Sequence, residues 1–516
     1  MAWYVGSLDQ GTTSTRAIFY DSNLKPVTSH QISHEQITPH PGWLQHDPIQ
    51  ILNNAKTCID EAHQKLKATT GERVPDVKTF GITNQRETLV VWDKKTGRPL
   101  YDAVVWCDLR SQQLVNRFSE KHGGRDAFRK VTGLPVSPYF TAFKLAWLME
   151  NVPAVKRGIE QGSVLVGTVD TWLLWNFTGN HCISVCNASR TYLMDINKRM
   201  WDPSLCALFG MKSSELPRIV RNSEEVGTFR STALVGVPIA GLIGDQHGAS
   251  VGQLCFKEGD TKNTYGTGCF LVMNTGTTPK PSTHGLLTTI CYDIGDEPVH
   301  YALEGSVVQA GMLVSWLKDN MGIVESPKEV ATLAAQVKDT GGVSIVPAFA
   351  GLFAPHWKPD ARGTICGLTM HTKKQHICRA ALIAIAMQSV DVIRAMQQDS
   401  GVAMTRLKAD GGLTNNRVLM QLQSDLADVE VAVPEDKETT ALGAAICAVN
   451  AAVQTMGHRK LGTILLCFEN CTQVIGDRHD KVETFVPQMD SQKRSDEYSR
   501  WEMALKRAEN WVSSKL

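Results

Sequence analysis

The chain opens, at residues 3–20, with WYVGSLDQGTTSTRAIFY. Apolar residues at Trp3–Leu8 and Arg16–Tyr20 flank the polar stretch Asp9–Ser14. Two apolar runs on either side of a short turn rich in Gly, Ser and Thr are typical of a strand, a tight turn and a second strand. The segment therefore predicts a hairpin whose turn displays hydroxyl and backbone N–H groups.

A second segment of the same design lies at residues 261–274, TKNTYGTGCFLVMN, with Gly266–Gly268 as its turn. Two such hairpins about half a chain apart predict two domains of related design. A polar, Gly-bearing break near residues 253–259 sets the boundary. We therefore expect domains at residues 1–255 and 256–516.

Strands alternate with helices along the rest of the chain, which indicates an α/β fold. We predict strands at Lys78–Asn84, Leu89–Trp92, Pro238–Ile243 and Leu407–Ala409, and helices after Asp245 and at Phe143–Asn151, His376–Ser400, Asn416–Asp425 and Thr439–Met456.

The charge balance and the cysteine pattern exclude several classes of partner. Lys and Arg number 53 against 52 Asp and Glu, for a net charge of +1, so nothing calls for nucleic acid or an anionic membrane. The 13 cysteines are scattered, and the pairs Cys182/Cys186 and Cys467/Cys471 have no second pair to complete a zinc site. We expect reduced thiols in a soluble enzyme.

Three loops could hold the phosphates of a nucleotide. In Asp9–Arg16 a glycine, hydroxyls and N–H groups could bind phosphate oxygens, and Asp9 could hold magnesium. Gly266–Gly268 and Ala409–Asn416 are the other two. Each alone could be an ordinary turn, but together they indicate a nucleotide site. The chain contains no GxxxxGK[ST], HRD or DFG motif, so it is neither a P-loop protein nor a protein kinase.

Other residues could bind and activate a small polyol. Asp245, at a strand end before a helix, could take a proton from a hydroxyl, although a helix-capping role is the alternative. Arg86 and Glu87 offer a donor and an acceptor; their alternative is a solvated ion pair. Trp106, Tyr139 and Phe270 could wall a pocket, unless they are simply core residues.

With these motifs in order, the chain resembles the glycerol kinases of the FGGY carbohydrate-kinase family over essentially its whole length. The matching segments are LDQGTTSTR, PGWLQHDP, GITNQRET, VVWCDLR, GTVDTWLLW, NASRT, GDQHGA, KNTYGTGCF, HGLLTT, YALEGS, PAFAGL, ARGTICGL, ADGGLTNN and TTALGAA. The resemblance implies two ribonuclease-H-like domains of the actin and hexokinase type, with the active site in the cleft between them. The chain departs from the family pattern at Ser184, His247, Ser315, His356 and Lys358, and residues 459–490 match poorly.

The resemblance also implies a role for single residues. ATP contacts are implied for Thr12, Thr13, Ser14, Arg16, Thr267, Gly311, Gly412 and Asn416, and Asp9 matches the position associated with Mg²⁺. Glycerol contacts are implied for Arg86, Glu87, Tyr139, Asp245 and Gln246, with Trp106 and Phe270 as pocket walls; Asp245 is similar to the general base.

The expected reaction is phosphorylation of glycerol by ATP. Two alternatives stay open: a kinase of another polyol or sugar, and an ATP-switched binding protein of the actin or heat-shock type. The resemblance also implies a homodimer.

The sequence ends in Ser514-Lys515-Leu516. A terminal Ser-Lys-Leu is read by an import receptor as an address for peroxisomes. Tyr498, Trp501, Leu505, Ala508 and Val512 recur at helical spacing, so a docked helix is expected before this tail. We therefore expect a glycosome or peroxisome-like organelle, with the cytoplasm as the alternative.

Overall fold

The computed structural model describes residues 2–295, 298–456 and 482–512. The terminal Ser514-Lys515-Leu516, the pair Cys467/Cys471 and most of the unassigned segment 459–490 lie outside these residues.

The first half of the chain builds an α/β domain around one large sheet. Its strands are β1 (Tyr4–Gln10), β2 (Ser14–Tyr20), β3 (Pro26–Ser33), β4 (Gln45–His46), β5 (Val77–Asn84), β6 (Val90–Asp93), β7 (Ala103–Val104), β8 (Val164–Gly167), β9 (Cys182–Ser184), β10 (Met194–Asp195), β11 (Met200–Trp201), β12 (Arg218–Val220), β13 (Ser223–Thr228) and β14 (Pro238–Gly244). Its helices are α1 (Pro48–Thr70), α2 (Gln112–His122), α3 (Arg129–Thr132), α4 (Thr141–Asn151), α5 (Pro153–Glu160), α6 (Val169–Thr178), α7 (Val185–Ala188), α8 (Pro203–Leu208) and α9 (Asp245–Gly252).

The second half of the chain builds another α/β domain around a second large sheet. Its strands are β15 (Thr261–Tyr265), β16 (Cys269–Asn274), β17 (Leu287–Tyr292), β18 (His300–Val307), β19 (Ser344–Val346), β20 (Thr364–Cys366), β21 (Arg406–Asp410), β22 (Glu430–Pro434) and β23 (Val482–Phe485). Its helices are α10 (Gly311–Asp319), α11 (Pro327–Ala334), α12 (Lys374–Ser400), α13 (Arg417–Ala427), α14 (Thr439–Met456) and α15 (Ser491–Ala508).

The two large sheets share one topology, which confirms the predicted pair of related domains. The first runs β13-β14-β5-β1-β2-β3 and the second β17-β18-β16-β15-β21-β22-β23. In each, three antiparallel strands (β1, β2, β3 and β15, β16, β18) continue into two parallel ones (β5, β14 and β21, β22). This order is the one expected of ribonuclease-H-like domains of the actin and hexokinase type.

Helix α14 joins the two domains. It packs on β1, β5, β14 and α9 of the first domain. A Cβ at Gly81 or at Gly241 would collide with the carbonyl of Ala444, so these glycines let the helix backbone lie directly on the sheet. The predicted Ala- and Gly-rich helix at Thr439–Met456 is confirmed, and it forms much of the interface between the domains.

Several predicted elements begin or end at other residues than expected. Asn416 caps α13 through a hydrogen bond from Leu419 N rather than starting the helix. Pro153 begins α5 instead of only closing α4, because proline is well tolerated at the first helical position. The final helix stops at Ala508, so Val512 lies beyond it.

Among the described residues, α12 alone is long and apolar enough to cross a membrane. Most of it is buried within the second domain, where it packs on β16, β18 and β19. The helix is therefore the centre of that domain's core.

Candidate active site

The cleft brings together the carboxyl ends of three neighbouring strands of the first domain. Asp9 and Gln10 of β1 pair in register with Thr83 and Asn84 of β5, and Gly244 of β14 pairs with Asn84 from the other side. Carboxyl ends of parallel strands form the crevice where α/β sheets bind ligands. Asp9, Arg86, Glu87 and Asp245 therefore collect at one edge.

The second domain presents one face of its sheet to this edge. Lys262 and Thr264 lie opposite Val272 and Phe270, which in turn lie opposite Glu304 and Ser306. Residues directly opposite in an antiparallel ladder share a face. The other face is apolar and packs on α12, where a Cβ at Gly305 would meet the Val392 side chain.

A buried ion network connects the two domains. The Arg86 guanidinium donates to both carboxylate oxygens of Glu304, at 2.6 and 2.8 Å, and its Nε lies 3.1 Å from Asp245 Oδ1. Arg190 donates to Glu87 at 2.5 Å and to Glu304 at 3.2 Å. Arg86 and Glu87 are 3% and 1% exposed, so the solvated-pair alternative is wrong. Each of the two pairs with a different partner.

The charges of this network follow from burial and from the two arginines. Burial would raise the pKa of Glu304, but Arg190 and Arg86 outweigh it and hold the pKa well below its usual range. Burial raises the pKa of Asp245, and Arg86 opposes that rise. An acceptor of protons with a raised pKa is what general-base catalysis near neutral pH needs.

Asp245 is more than a capping residue. Gly244 takes the cap position of α9, and Asp245 is its first helical residue. Its Oδ1 accepts from Gln246 N at 2.6 Å while facing Arg86. Two residues later, His247 is fully buried, and burial lowers its pKa well below the usual value, so the imidazole is neutral.

Three aromatic rings close the pocket on one side. Trp106 contacts Tyr139 and Phe270 edge to face, with centroids 5.6 and 5.7 Å apart. Its Nε1 donates to Thr12 Oγ1 at 2.9 Å, which connects the aromatic wall to the turn at residues 11–13 between β1 and β2. This turn is called the first phosphate turn after the role that the sequence predicts for it. Phe270 comes from the second domain, so both domains enclose the pocket.

Hydrogen bonds across the first phosphate turn and from neighbouring residues fix its shape. Gly11 N donates to Ser14 O at 2.9 Å, and the carbonyl of Thr12 accepts from His34 Nε2 at 2.7 Å and Gln36 Nε2 at 2.9 Å. Thr13 is exposed at the turn. These contacts hold the turn without using the hydroxyl of Thr13, which stays available to a ligand.

Asp9 and Arg16 flank this turn. Arg16 pairs with Glu438 of the second domain and hydrogen-bonds Gln31. Burial, together with the nearby Asp245 and Glu438, raises the pKa of Asp9 to about 7. Among the described residues no side chain donates a hydrogen bond to this carboxylate. Asp9 and the nearby Asp245 are two carboxylates with too little positive charge around them. Such a pair fits a hard divalent cation such as Mg²⁺.

The loops predicted to contact the nucleotide pack on one another in the second domain. Thr267 O accepts from Met312 N at 3.1 Å, at the start of α10. A Cβ at Gly311 would lie 2.6 Å from Gly266 O, so only glycine allows this approach. A Cβ at Gly411, whose φ is 88°, would lie 2.5 Å from Tyr265 O.

Gly412 and Asn416 complete this group of loops. A Cβ at Gly412 would meet no atom within 4 Å, so there is open space beside its backbone. Asn416 uses Oδ1 to cap α13, accepting from Leu419 N at 3.0 Å.

Sequence reasoning did not single out three charged residues of the site. These are Arg190, Lys262 and Glu304, all fully buried. Each lies within a segment that carried the resemblance, NASRT, KNTYGTGCF and YALEGS. In each segment a single charged residue stands among apolar or small residues. A charged residue is rarely buried without a partner, so this pattern could have identified all three.

Comparisons with known proteins agree with this geometry. The profile of the FGGY family of carbohydrate kinases matches residues 4–252 with its N-terminal domain and residues 261–452 with its C-terminal domain. A glycerol kinase of Brucella anthropi is 46% identical over 99% of this chain and 100% of its own length. One of Rhizorhabdus wittichii is 46% identical over 99% and 98%.

Solved structures give the same result. The crystal structure of Plasmodium falciparum glycerol kinase with ADP is 40% identical, with a TM-score of 0.88 over 98% of both chains. A gluconate kinase of Lactobacillus acidophilus, at 18% identity, shares the fold with a TM-score of 0.82 over 98% of both chains. The chain belongs to the FGGY family of carbohydrate kinases.

Proposed function

We propose that the chain transfers the γ-phosphoryl group of ATP to a terminal hydroxyl of glycerol, giving sn-glycerol 3-phosphate. One observation carries the proposal: Asp245 faces Arg86 at 3.1 Å in a cleft that Trp106, Tyr139 and Phe270 enclose. A carboxylate, a guanidinium and apolar ring surfaces suit a short polyol. The full-length relatives named glycerol kinases support the same acceptor.

In the proposed reaction the protein positions the reactants and stabilises charge, as in other phosphoryl transfers. The hydroxyl oxygen forms a bond to the γ-phosphorus while the bond from that phosphorus to the β–γ bridging oxygen breaks. Asp245 accepts the hydroxyl proton. Arg86 and Glu87 orient the other hydroxyls, and Arg86 opposes the rise that burial causes in the pKa of Asp245.

Asp9 would hold Mg²⁺, which would neutralise charge on the phosphates. Mg²⁺ takes one or two carboxylates and completes its shell with phosphate oxygens and water. No group of three or more His, Cys, Asp or Glu side chains that could hold a metal ion occurs in the described ranges. Thr12, Thr13, Ser14, Thr267, Gly311, Gly412 and Asn416 would contact the nucleotide, and Arg16 would do so on leaving Glu438.

A coupled assay with ATP and a panel of acceptors tests this function. We expect turnover with glycerol well above that with other polyols, with pentoses or hexoses, or with no acceptor. Preference for a different polyol or sugar would favour the first alternative. ATP hydrolysis at one rate with every acceptor, and with none, would favour an ATP-switched binding protein instead.

We also propose import into a peroxisome-related organelle such as the glycosome, supported by Ser514-Lys515-Leu516. The test is a fluorescent reporter ending in residues 498–516, compared with one that carries an added alanine after Leu516. Receptors for such tails need the free carboxylate, so the first reporter should enter the organelle and the second should stay in the cytoplasm. Equal distribution of the two would refute this address.

A homodimer is the assembly we propose from the resemblance. Sedimentation equilibrium should give about twice the 56.7 kDa mass of the chain. A monomer at micromolar concentration would contradict it.

A further inference from the structure

Lys262 is a buried cation at the base of the cleft. It lies on β15, is fully buried, and shares a sheet face with Glu304. Its ammonium donates to the side-chain oxygen of Gln246, on α9 of the other domain, and to Thr264 Oγ1 at 2.9 Å. Within the described ranges Nζ forms no ion pair, so both of its side-chain acceptors are neutral.

Burying a lysine costs free energy unless its charge is paired, and neutral acceptors offset that cost only in part. Asp410, Glu304 and Asp245 lie near enough to offset part of that cost, yet burial still lowers the pKa of Lys262 to about 8. Hydrophobic residues would fill the same space more cheaply. The position therefore points to a role for the three N–H donors.

The contact with Gln246 settles which way that amide faces. A glutamine amide has an oxygen that accepts and a nitrogen that donates, and the two ends are similar in size. An ammonium only donates, so it binds Oε1 and excludes the flipped arrangement. Gln246 must then direct Nε2 away from Lys262, and no described residue accepts a hydrogen bond from it.

The fixed amide complements Asp245, its neighbour in the chain. A hydroxyl has one proton to donate and lone pairs that accept. Asp245 can accept the proton, and the Nε2 group of Gln246 can donate to the oxygen. A flipped amide would present a second acceptor and repel the same oxygen.

We propose that Lys262 is a positioning residue that orients the Gln246 amide, so that Asp245 and Gln246 together match the acceptor hydroxyl. This inference rests on the proposed phosphorylation of a polyol. It assigns to the second domain a part in acceptor binding, through a strand that leads directly into the Gly266–Gly268 turn.

The first test compares Lys262→Met with Lys262→Arg. Methionine fills the space without donating, so the Gln246 amide can flip and leave the acceptor oxygen without its donor. The glycerol KM should then rise about ten- to a hundredfold, the effect of leaving a buried polar group unsatisfied. Arginine keeps donors and should recover most of that loss. The ATP KM should stay within about threefold. A raised ATP KM with an unchanged glycerol KM would place Lys262 on the phosphates and overturn the inference.

Lys408→Met is the matched control. Lys408 is the neighbour of Lys262 across the β15–β21 ladder, but it donates to Leu254 O at 2.8 Å and pairs with Asp260. Its loss should leave the glycerol KM unchanged. An equal rise in both methionine variants would mean a general effect on the sheet and contradict a specific role.

Gln246→Glu tests the same idea in a protein that keeps Lys262 and gains an ion pair. The new carboxylate satisfies the ammonium but has no N–H to donate. The melting temperature should hold or rise while the glycerol KM rises about as much as in Lys262→Met. Parental glycerol affinity in this variant would overturn the inference even if Lys262→Met failed to fold.

A double-mutant cycle with Gln246→Leu separates action through Gln246 from a separate effect. If Lys262 acts through the amide, its loss should add less than about threefold to the KM of Gln246→Leu. Multiplicative effects would contradict the mechanism. Turnover of the parent with glycerol is measured in the same assay and tests the proposed function on its own; if another polyol proves the better acceptor, the cycle is run with that polyol.

Discussion

Arg86 and Glu304 meet across the cleft in a two-pronged contact, with Arg86 Nη1 2.6 Å from Glu304 Oε2 and Nη2 2.8 Å from Oε1. The residues are 218 positions apart and belong to different domains. Because Arg86 also faces Asp245, the contact fixes the proposed acceptor site only when the two domains are together. The proposed acceptor site is therefore complete only where the two domains are in contact.

Glu304→Gln should destabilise the protein strongly. The substitution leaves Arg86 and Arg190 buried around a neutral amide, and breaking a buried ion pair costs about 3–5 kcal/mol. Urea unfolding followed by fluorescence would measure the loss. Glu329→Gln is the control, because Glu329 forms a partly exposed pair with Lys374, and such pairs contribute about 0–1 kcal/mol. Equal losses in the two variants would contradict a special role for the network.

Asp245→Asn should abolish most turnover while leaving glycerol binding nearly intact. The amide keeps the shape but cannot take a proton, and general-base catalysis contributes about 10²–10⁴-fold. Steady-state kinetics measures kcat and KM separately. Asp202→Asn is the control, since Asp202 caps the distant helix α8 and asparagine caps equally well. Turnover within a few-fold of the parent would remove Asp245 from this role.

Glu87→Gln should weaken glycerol more than ATP. The carboxylate accepts from Arg190 through Oε1, and losing a charged acceptor costs about 1.5–3 kcal/mol, or roughly ten- to a hundredfold in affinity. Isothermal titration with each ligand would separate the two affinities. An equal loss of ATP affinity would contradict the assignment of Glu87 to the acceptor side.

Local sequence patterns predicted the strands and turns of the two hairpins because these depend on neighbours in the chain. The hairpin at residues 261–274 has the expected bounds, whereas the one at residues 3–20 has a shorter turn, because Asp9, Gln10 and Ser14 belong to its strands. Single-residue ends were less predictable, since Asn416 and Pro153 depend on how each helix is capped.

Contacts between distant residues could not be read from the sequence in the same way. Arg86 and Glu87 are adjacent and suggested a pair, yet their partners are Glu304 and Arg190. The packing of one domain on the other decides the partner of Arg86, and the folding of the first domain decides the partner of Glu87. Lys262 was not predicted as a site residue for the same reason, because the contact that suggests its role is with Gln246 of the opposite domain.

His46 is fully buried behind the first phosphate turn, and its burial should make the stability of the protein depend on pH. Its Nε2 lies 3.1 Å from Gln36 Oε1, and its ring contacts His34 edge to face at 4.6 Å. Gln36 and His34 both donate to the carbonyl of Thr12. The His46 ring thus packs directly behind His34 and Gln36, the two residues that hold the turn.

Burial, with His34 nearby, lowers the pKa of His46 to about 3, whereas an unfolded histidine titrates near about 6.5. Below pH 6.5 the unfolded chain therefore gains a proton that the folded chain refuses, so stability falls as pH falls. By pH 5 this one group should remove about 1–2 kcal/mol of the free energy of unfolding.

His46→Gln keeps an N–H donor and cannot titrate, so its free energy of unfolding should change less between pH 7.5 and 5. Urea unfolding of both proteins at the two pH values measures the difference, with the exposed His40→Gln as control. Parallel pH dependence in the parent and His46→Gln would mean that the buried ring accepts a proton in place, and that the turn does not depend on its neutrality.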